Sequence, residues 1–435
     1  MKFTGKLFTL PISLLPLIAT VSCFDNANDE NGEWDSEITI KNEWINYGFQ
    51  GTKLESDFLV FLGDRFNEIK NANPKTRNKP NVSFVFETNA DSTSMFLELE
   101  ADNKKQDVAI LNYGNFATDF QDINTNSMWQ KNLKFKLVAQ TSTLKFSWNG
   151  TDNVYYESGL DNDPLRKLAE DNNIKWFKET GLEYPEWQEH SNIVPFDGSK
   201  YTSFYSNDKE LTYVYSGAIY IAGNKKQRDE IITDWNNKDF DRFISHNLVF
   251  ENNHQAGTYK YQAAILARHF GKSIKEINEI LNNPDKNNNY VIRGLPASKT
   301  LGKTANGQIA RIGFAHEGEL NWTRDEGDQK LFCPDGFLRN KDYDDPSNAV
   351  IRVLCMTNPA PYDVVLARKN FNDEQLKILT QTLTSLSLEE NIYGIYTGYN
   401  KFQKIDFGLF KKFVLLQIQA ETVKNLVNDI PEIGK

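Results

Sequence analysis

Two stretches of the 435-residue chain carry side chains whose types and spacing could hold a charged small molecule. The first is Asn253-His254-Gln255-Ala256-Gly257-Thr258-Tyr259-Lys260, which follows an apolar run and opens a helical pattern. The first N–H groups of a helix have no internal partner and stand at the positive end of its dipole. Gly257 lets an anion approach the backbone, and Thr258 can cap the helix or bind an oxygen. The segment therefore suits a phosphate without much formal charge. The same residues also suit an ordinary strand-to-helix loop, and no Gly-Lys-Ser/Thr follows at the spacing of a P-loop. The second stretch is Glu317-Gly318-Glu319-Leu320-Asn321-Trp322. Its acids by charge, and Trp322 by its ring face, could hold a cation. Read more plainly, it is a solvated loop with one packed indole.

Patterns for catalysis are poor. The histidines His190, His246, His254, His269 and His316 show no His-Glu-x-x-His spacing, and neither Cys-x-x-Cys nor Gly-x-Ser-x-Gly occurs. Acidic pairs such as Asp161/Asp163 and Asp344/Asp345 read as turns, so no metal is assigned and no enzyme is expected. Lys and Arg number 49 against 59 Asp and Glu, a net charge of −10, which argues against nucleic acid as a partner. With 39% hydrophobic and 25% charged residues, the chain lies in the globular range. Three cysteines are too few for a disulfide framework.

Strands and helices must position these residues. Apolar runs at 38–40, 82–86, 107–111, 133–138, 143–148, 213–223, 248–250, 310–315, 350–356 and 364–367 read as strands. Leu54, Phe58, Phe61, Leu62, Phe66 and Ile69 mark an amphipathic helix over 54–70. Further helices are expected after Ser92 or Thr93, over about 164–179, near Ile231 and Trp235, over 259–270 closed by Gly271, over 273–282, and after Asn372 with Gln375 completing a capping box. Alternation of strands and helices implies an α/β fold of open, mostly parallel sheets. Two such units joined by crossings near 210 and 362 imply two lobes with a cleft. Asn112-Tyr113, the 252–260 segment, His316-Glu317 and the 358–363 turn all follow strands, where α/β sheets place ligands. No repeat of fixed period appears.

Residues 1–22 read as a secretory signal: Lys2 and Lys6, then a short apolar run from Leu7 to Val21 broken by Pro11 and Pro16. Thr20-Val21-Ser22-Cys23 looks like a lipobox, with Thr20 in place of the usual leucine, so Cys23 is the expected lipidation site. Cleavage would remove two lysines and no acid, moving the net charge from −10 to −12. A polar tether over about 24–37 would hold the folded part at the outer face of the cell membrane.

Several stretches in order carry a resemblance. They are Trp44-Ile45-Asn46, Asp163-Pro164-Leu165, Gly217-Ala218-Ile219-Tyr220-Ile221, Trp235-Asn236-Asn237-Lys238-Asp239, Asn321-Trp322-Thr323, Thr357-Asn358-Pro359-Ala360-Pro361-Tyr362-Asp363-Val364, Gly398-Tyr399-Asn400 and Lys404-Ile405-Asp406. The chain resembles the mycoplasmal extracellular thiamine-pyrophosphate-binding lipoproteins of the Cypl type, which are similar in turn to phosphonate-type periplasmic binding proteins. The resemblance implies a two-lobed type II periplasmic-binding-protein fold, no catalysis, and a substrate-binding lipoprotein serving the permease of an ABC importer. It implies thiamine pyrophosphate as transported ligand rather than cofactor. At 253–258, where the phosphonate-binding relatives carry a Ser/Thr-rich loop, only Gly257 and Thr258 keep that character.

The expected layout is 1–22 signal, 23–37 lipidated cysteine and tether, 38–210 the first lobe with an insertion at about 150–200, 211–362 the second lobe, and 363–435 a return to the first. A monomer is expected. Chosen by strand-end position, the ligand-binding set is Trp44, Asn46, Asn112, Tyr113, Tyr215, Ser216, His254, Gln255, Gly257, Thr258, Tyr259, Glu317, Trp322, Tyr362 and Asp363. The competing reading is a surface adhesion lipoprotein with no part in small-molecule transport.

Overall fold

Val108 to Leu111 shows how the first unit is built. Val108 and Ile110 face one side of a sheet, packing with Ile38, Ile40 and Val365 against the helices Lys53–Ala72 and Asp373–Ser385. Ala109 and Leu111 face the other side, packing with Met95, Phe96, Phe410 and Phe413 of the helices Ser92–Glu100 and Phe407–Glu421. The period of two puts alternate residues into separate apolar layers, so the strand is buried on both faces. Each side chain the size of Phe58 or Leu62 gains roughly 1.5–3 kcal/mol on burial.

The computed structural model describes residues 32–43, 45, 48–88, 91–181, 183, 205–206, 209–322 and 330–433. The expected signal, Cys23, Trp44 and Asn46 lie outside these residues. Among the described residues no helix is long and apolar enough to cross a membrane.

The sheet of the first unit runs, edge to edge, Lys401–Gln403, Phe135–Leu144, Val364–Arg368, Val108–Leu111, Glu37–Asn42, Ser83–Thr88, with Leu211–Thr212 pairing on Phe135–Leu144. The second sheet runs Val350–Met356, Gly217–Gly223, Ile312–His316, Leu248–Phe250, Val291–Arg293. Both follow one plan. Three strands lie parallel, and the strand arriving from the other lobe is inserted antiparallel between the third and the fourth. In the first sheet the arriving strand is Val364–Arg368; in the second it is Gly217–Gly223. This is the two-lobed type II arrangement expected from the sequence. The repeat lies in the topology and leaves no trace as a sequence period.

Several local expectations change. The strands expected at 133–138 and 143–148 are one ten-residue strand, Phe135–Leu144. Its polar middle, Gln140-Thr141-Ser142, is fully buried, with Gln140 Nε2 donating to the carbonyls of Tyr362 and Asp363 at 2.7 and 3.0 Å. The run expected as a long strand over 213–223 is broken into Val214–Tyr215 and Gly217–Gly223, because the first piece leaves the sheet to pair with Ala360–Pro361 in the hinge. The helix Ser92–Glu100 is capped by Asp91, whose carboxylate accepts from Ser94 N. Asn372 caps its helix, yet Gln375 completes no capping box; its amide bonds both the N–H and the carbonyl of Asp35. The helix in the polar segment is Pro164–Thr180, and it packs on Val350–Met356 of the second sheet.

Candidate functional site

Two crossings lie side by side between the lobes. Val214–Tyr215 pairs antiparallel with Ala360–Pro361, and the ribbon is extended by Tyr362 N–H donating to Tyr213 O at 2.6 Å. At the far end Gly217 N–H donates to Thr357 Oγ1 at 2.8 Å, and Thr357 N–H to Gly217 O at 2.9 Å. A Cβ on Gly217 would lie 2.5 Å from Gln262 Nε2 and 2.6 Å from Gly257 O, so the close approach read at this glycine is required. Ser216 is held at both backbone groups by Glu317: its N–H donates to Oε2 at 3.0 Å, and its carbonyl accepts Glu317 N–H at 2.9 Å. Glu317 Oε1 accepts Asn149 Nδ2 at 2.8 Å. The carboxylate is buried, and burial pushes its pKa up against these donors.

The ribbon delivers Tyr215, Tyr362 and Asp363 to the carboxyl edge of the first sheet. Asn112 caps the turn after Val108–Leu111 with Oδ1, accepting Gly114 N–H at 2.8 Å. Its amide then donates to Tyr215 OH at 2.9 Å and to Asp363 Oδ1 at 3.2 Å. Tyr399 OH donates to Asp363 Oδ2 at 2.6 Å. Burial raises the pKa of Asp363, while Tyr399 and Asn112 oppose the rise. Tyr362 stands edge-on between two rings, 5.8 Å from Tyr215 and 5.9 Å from Tyr399. Tyr215 OH reaches Tyr261 OH at 2.9 Å, and Tyr261 OH accepts from Gln417 Nε2 at 3.0 Å. Glu43, directly after Glu37–Asn42, is pushed up to about 7 by burial and by the charge of Asp363. The result is an acidic, tyrosine-walled cluster where both lobes and both crossings meet.

The opposite wall comes from the second lobe. Ala256–Lys260 is a wide turn in which Lys260 N–H reaches back five residues to Gln255 O, and it leads into the helix Tyr261–Phe270. The expected helix start at 259 thus falls inside a continuous helical segment from 256. A Cβ on Gly257 would lie 2.5 Å from His316 Nδ1, so the ring of His316 already requires this glycine. Burial holds His316 down at about 4, so the ring is neutral near neutral pH. The backbone N–H of His316 donates to Glu319 Oε2 at 2.9 Å, and burial pushes Glu319 up to about 7. The two walls touch: a Cβ on Gly114 would lie 3.2 Å from that of Ala256.

The structure therefore gathers Asn112, Tyr215, Tyr362 and Asp363, and sets Gly257 and Thr258 on the facing wall. Ser216 and Glu317 hold the hinge. His254 and Gln255 are exposed, Gln255 Oε1 accepting from Thr258 Oγ1 at 2.6 Å. Two expected residues point elsewhere. Tyr113 is buried among Phe116, Phe410 and Phe413 with its hydroxyl on Gln140. Tyr259 packs on Phe250 and Phe314 with its hydroxyl on Asn278. Trp322 ends the short helix Glu319–Trp322, and its side chain lies outside the described residues. Sequence reasoning missed Glu43, Tyr261, Tyr399 and Gln417. Glu43 had a signal, since it stands at a strand's carboxyl end, and Tyr399 lies in one of the resembling stretches. Asp163, weighed as half of an acidic pair, is a structural anchor accepting four backbone N–H groups, from Glu157, Ser158, Gly159 and Leu165. Among the described residues no group of three or more His, Cys, Asp and Glu is placed to hold a metal.

A family described as extracytoplasmic thiamine-binding lipoproteins matches residues 56–419. The high affinity transport system protein p37 of Mesomycoplasma hyorhinis is 28% identical over 405 residues, 90% of this chain and 92% of the relative. The protein of the same description from Mycoplasma pneumoniae is 24% identical over 348 residues, 75% of this chain and 86% of the relative. The solved structure of Mycoplasma hyorhinis Mh-p37, reported as a candidate thiamine pyrophosphate transporter, superposes with a TM-score of 0.72 at 26% identity, covering 90% of this chain and all of that one.

Proposed function

The chain belongs to the family of extracytoplasmic thiamine-binding lipoproteins, substrate-binding proteins of transport systems, and from that premise we propose that it captures thiamine pyrophosphate in the interlobe cleft for the permease of an ABC importer. It does so as a lipid-anchored, non-catalytic protein on the outer face of the membrane, attached through Cys23. The observation that carries this reading is the cluster of Asp363 with Tyr215, Tyr362 and Tyr399 at the hinge. Thiamine pyrophosphate has a cationic aromatic ring and an anionic tail. A desolvated carboxylate among aromatic rings suits the first by charge and by cation–π contact. The start of the helical segment at 256–260 suits the second through N–H groups that precede the first backbone bond.

Lobes that meet through side chains of both walls also favour a binding protein over an adhesin, because a ligand in the cleft would bridge them. Calorimetric titration of the purified mature chain with thiamine pyrophosphate, thiamine and pyrophosphate tests the reading. The diphosphate should bind best, since each phosphate oxygen met by a backbone N–H adds a charge-assisted hydrogen bond. Absence of heat with all three ligands would defeat it.

A further inference from the structure

The first wall carries a second carboxylate that the hinge cluster leaves largely unused. Asn42 pairs with Ile110, so Glu43 stands one step on, beside Leu111; Val364 pairs with Leu111 from the other side, which sets Asp363 beside Asn112. Glu43 and Asp363 thus flank the strand that ends in Asn112, on neighbours roughly 4.8 Å to either side. The register starts them from opposite faces of the sheet's carboxyl edge, Glu43 toward Ser92 and Asp363 toward Tyr399, and they stay near enough for the charge of Asp363 to act on Glu43. Glu43 is half-buried and accepts one long bond, from Ser92 Oγ at 3.3 Å. The second lobe offers a comparison, because its topology is the same. Glu251 follows Leu248–Phe250 as Glu43 follows Glu37–Asn42, but Glu251 is exposed. Glu317 takes the place of Asn112, but its carboxylate is spent on Ser216 and Asn149. Glu319, also desolvated, is spent on the backbone N–H of His316. Desolvated acid not already bonded to backbone is therefore concentrated on the first lobe, beside the tyrosine rings.

We propose that Glu43 is a specificity-determining residue of this cleft, selecting with Asp363 those ligands whose aromatic ring carries a positive charge. This rests on the reading of the hinge cluster as the ring site. Two half-buried carboxylates across one strand repel each other, and each loses hydration. A cationic heteroaromatic ring set against Tyr215, Tyr362 or Tyr399 relieves both penalties at once. A neutral ring of the same shape gains only the stacking.

The test uses the mature chain and two ring probes, thiamine and a deaza analogue in which carbon replaces the charged ring nitrogen. Wild-type protein should prefer thiamine by about tenfold or more, the scale of a desolvated charge contact. Glu43→Gln should lose most of that preference while binding the deaza analogue as before, and its thermal midpoint at pH 7.5 should be unchanged or higher. An unchanged preference in Glu43→Gln would overturn the proposal. So would equal loss of affinity for both probes, which would make Glu43 a packing partner of the Ser92 helix. A preference that appears only when calcium is added would overturn it in favour of a metal site. If wild-type protein binds neither thiamine nor its diphosphate, the failure belongs to the proposed function instead.

Discussion

Asn112 and Glu317 stand at the same point in two copies of one topology. Each follows the third strand of its sheet, and each bonds the residue that precedes the strand arriving from the other lobe: Asn112 bonds Asp363, and Glu317 bonds Ser216. On the first lobe the contact is between side chains and leaves a carboxylate in the cleft. On the second it clamps backbone and consumes the carboxylate. One plan thus yields a wall for recognition and a wall that fixes the pivot.

The pivot predicts the effect of a single methyl group. Gly217→Ala puts a carbon 2.6 Å from the carbonyl of Gly257, a backbone atom that cannot swing aside. The variant should lose about 1–3 kcal/mol of stability, the usual cost of overpacking, and should bind ligand more weakly because the helical segment at 256–260 is displaced. Denaturant melts and calorimetry would check both. Wild-type stability in the variant would mean the hinge has slack.

Titration of Glu319 predicts a pH trend. Its folded pKa is about 7 against an ordinary 4.5, so the folded state holds a proton that the unfolded chain releases. Stability from this group is fully present below about 4.5 and is lost as pH rises through 7. Glu319→Gln, which keeps an acceptor for His316 N–H, should raise the thermal midpoint at pH 8 and match wild type near pH 4.5. The gain is bounded at about 3 kcal/mol by the shift itself. His316 runs the other way: its stability is present above 6.5 and lost as pH falls through about 4.

The first lobe should be vulnerable at Arg368. This buried guanidinium donates to Asp107 Oδ1 at 2.9 Å and Asp35 Oδ2 at 2.6 Å, tying the first segments of the chain to the returning strand. Arg368→Ala leaves two desolvated carboxylates facing each other and should cost about 3–5 kcal/mol. Adding Asp107→Asn to that variant should recover part of the loss, as read from urea midpoints.

Anchoring gives a cellular prediction. With Cys23→Ser the protein should leave the membrane fraction for the medium, because one acylated terminus is the proposed attachment. Retention on the membrane after a high-salt wash would place the anchor elsewhere.

Period and punctuation made most of the elements legible. The helix Lys53–Ala72 lies where its apolar stripe predicts, the helix expected over 273–282 is Ile274–Asn282, and the Gly271 stop stands as read. The misreadings fall at the hinge and share a cause. Gln140-Thr141-Ser142 fell between two expected strands because polar residues usually face water, but here they satisfy the carbonyls of residues more than 200 positions away. Val214-Tyr215-Ser216-Gly217 read as unbroken strand because periodicity carries no information about which partner a strand takes. At the candidate site, strand-end position picked out Asn112, Tyr215, Tyr362 and Asp363, which the structure brings together. It could not tell Tyr113 and Tyr259, which turn into the cores, from those that turn to the cleft. Tyr261 and Gln417 sit inside helices, where no local signal marks them, and Tyr399, after the Gly398 stop, is marked only by the resembling stretch it lies in.

The crossings have a mechanical consequence. The segment leading to Pro164–Thr180 also passes between the lobes, and it is stitched to the other two: Asn149 to Glu317, and Tyr156 N–H to Asn358 Oδ1 at 2.8 Å. A single covalent link would let one body swivel freely on the other. Among the described residues three links are joined side to side, and such links resist torsion and shear and leave rocking about one axis as the soft degree of freedom. Spin labels placed on opposite lips of the cleft should then report one distance changing between two values, whichever pair of positions is chosen.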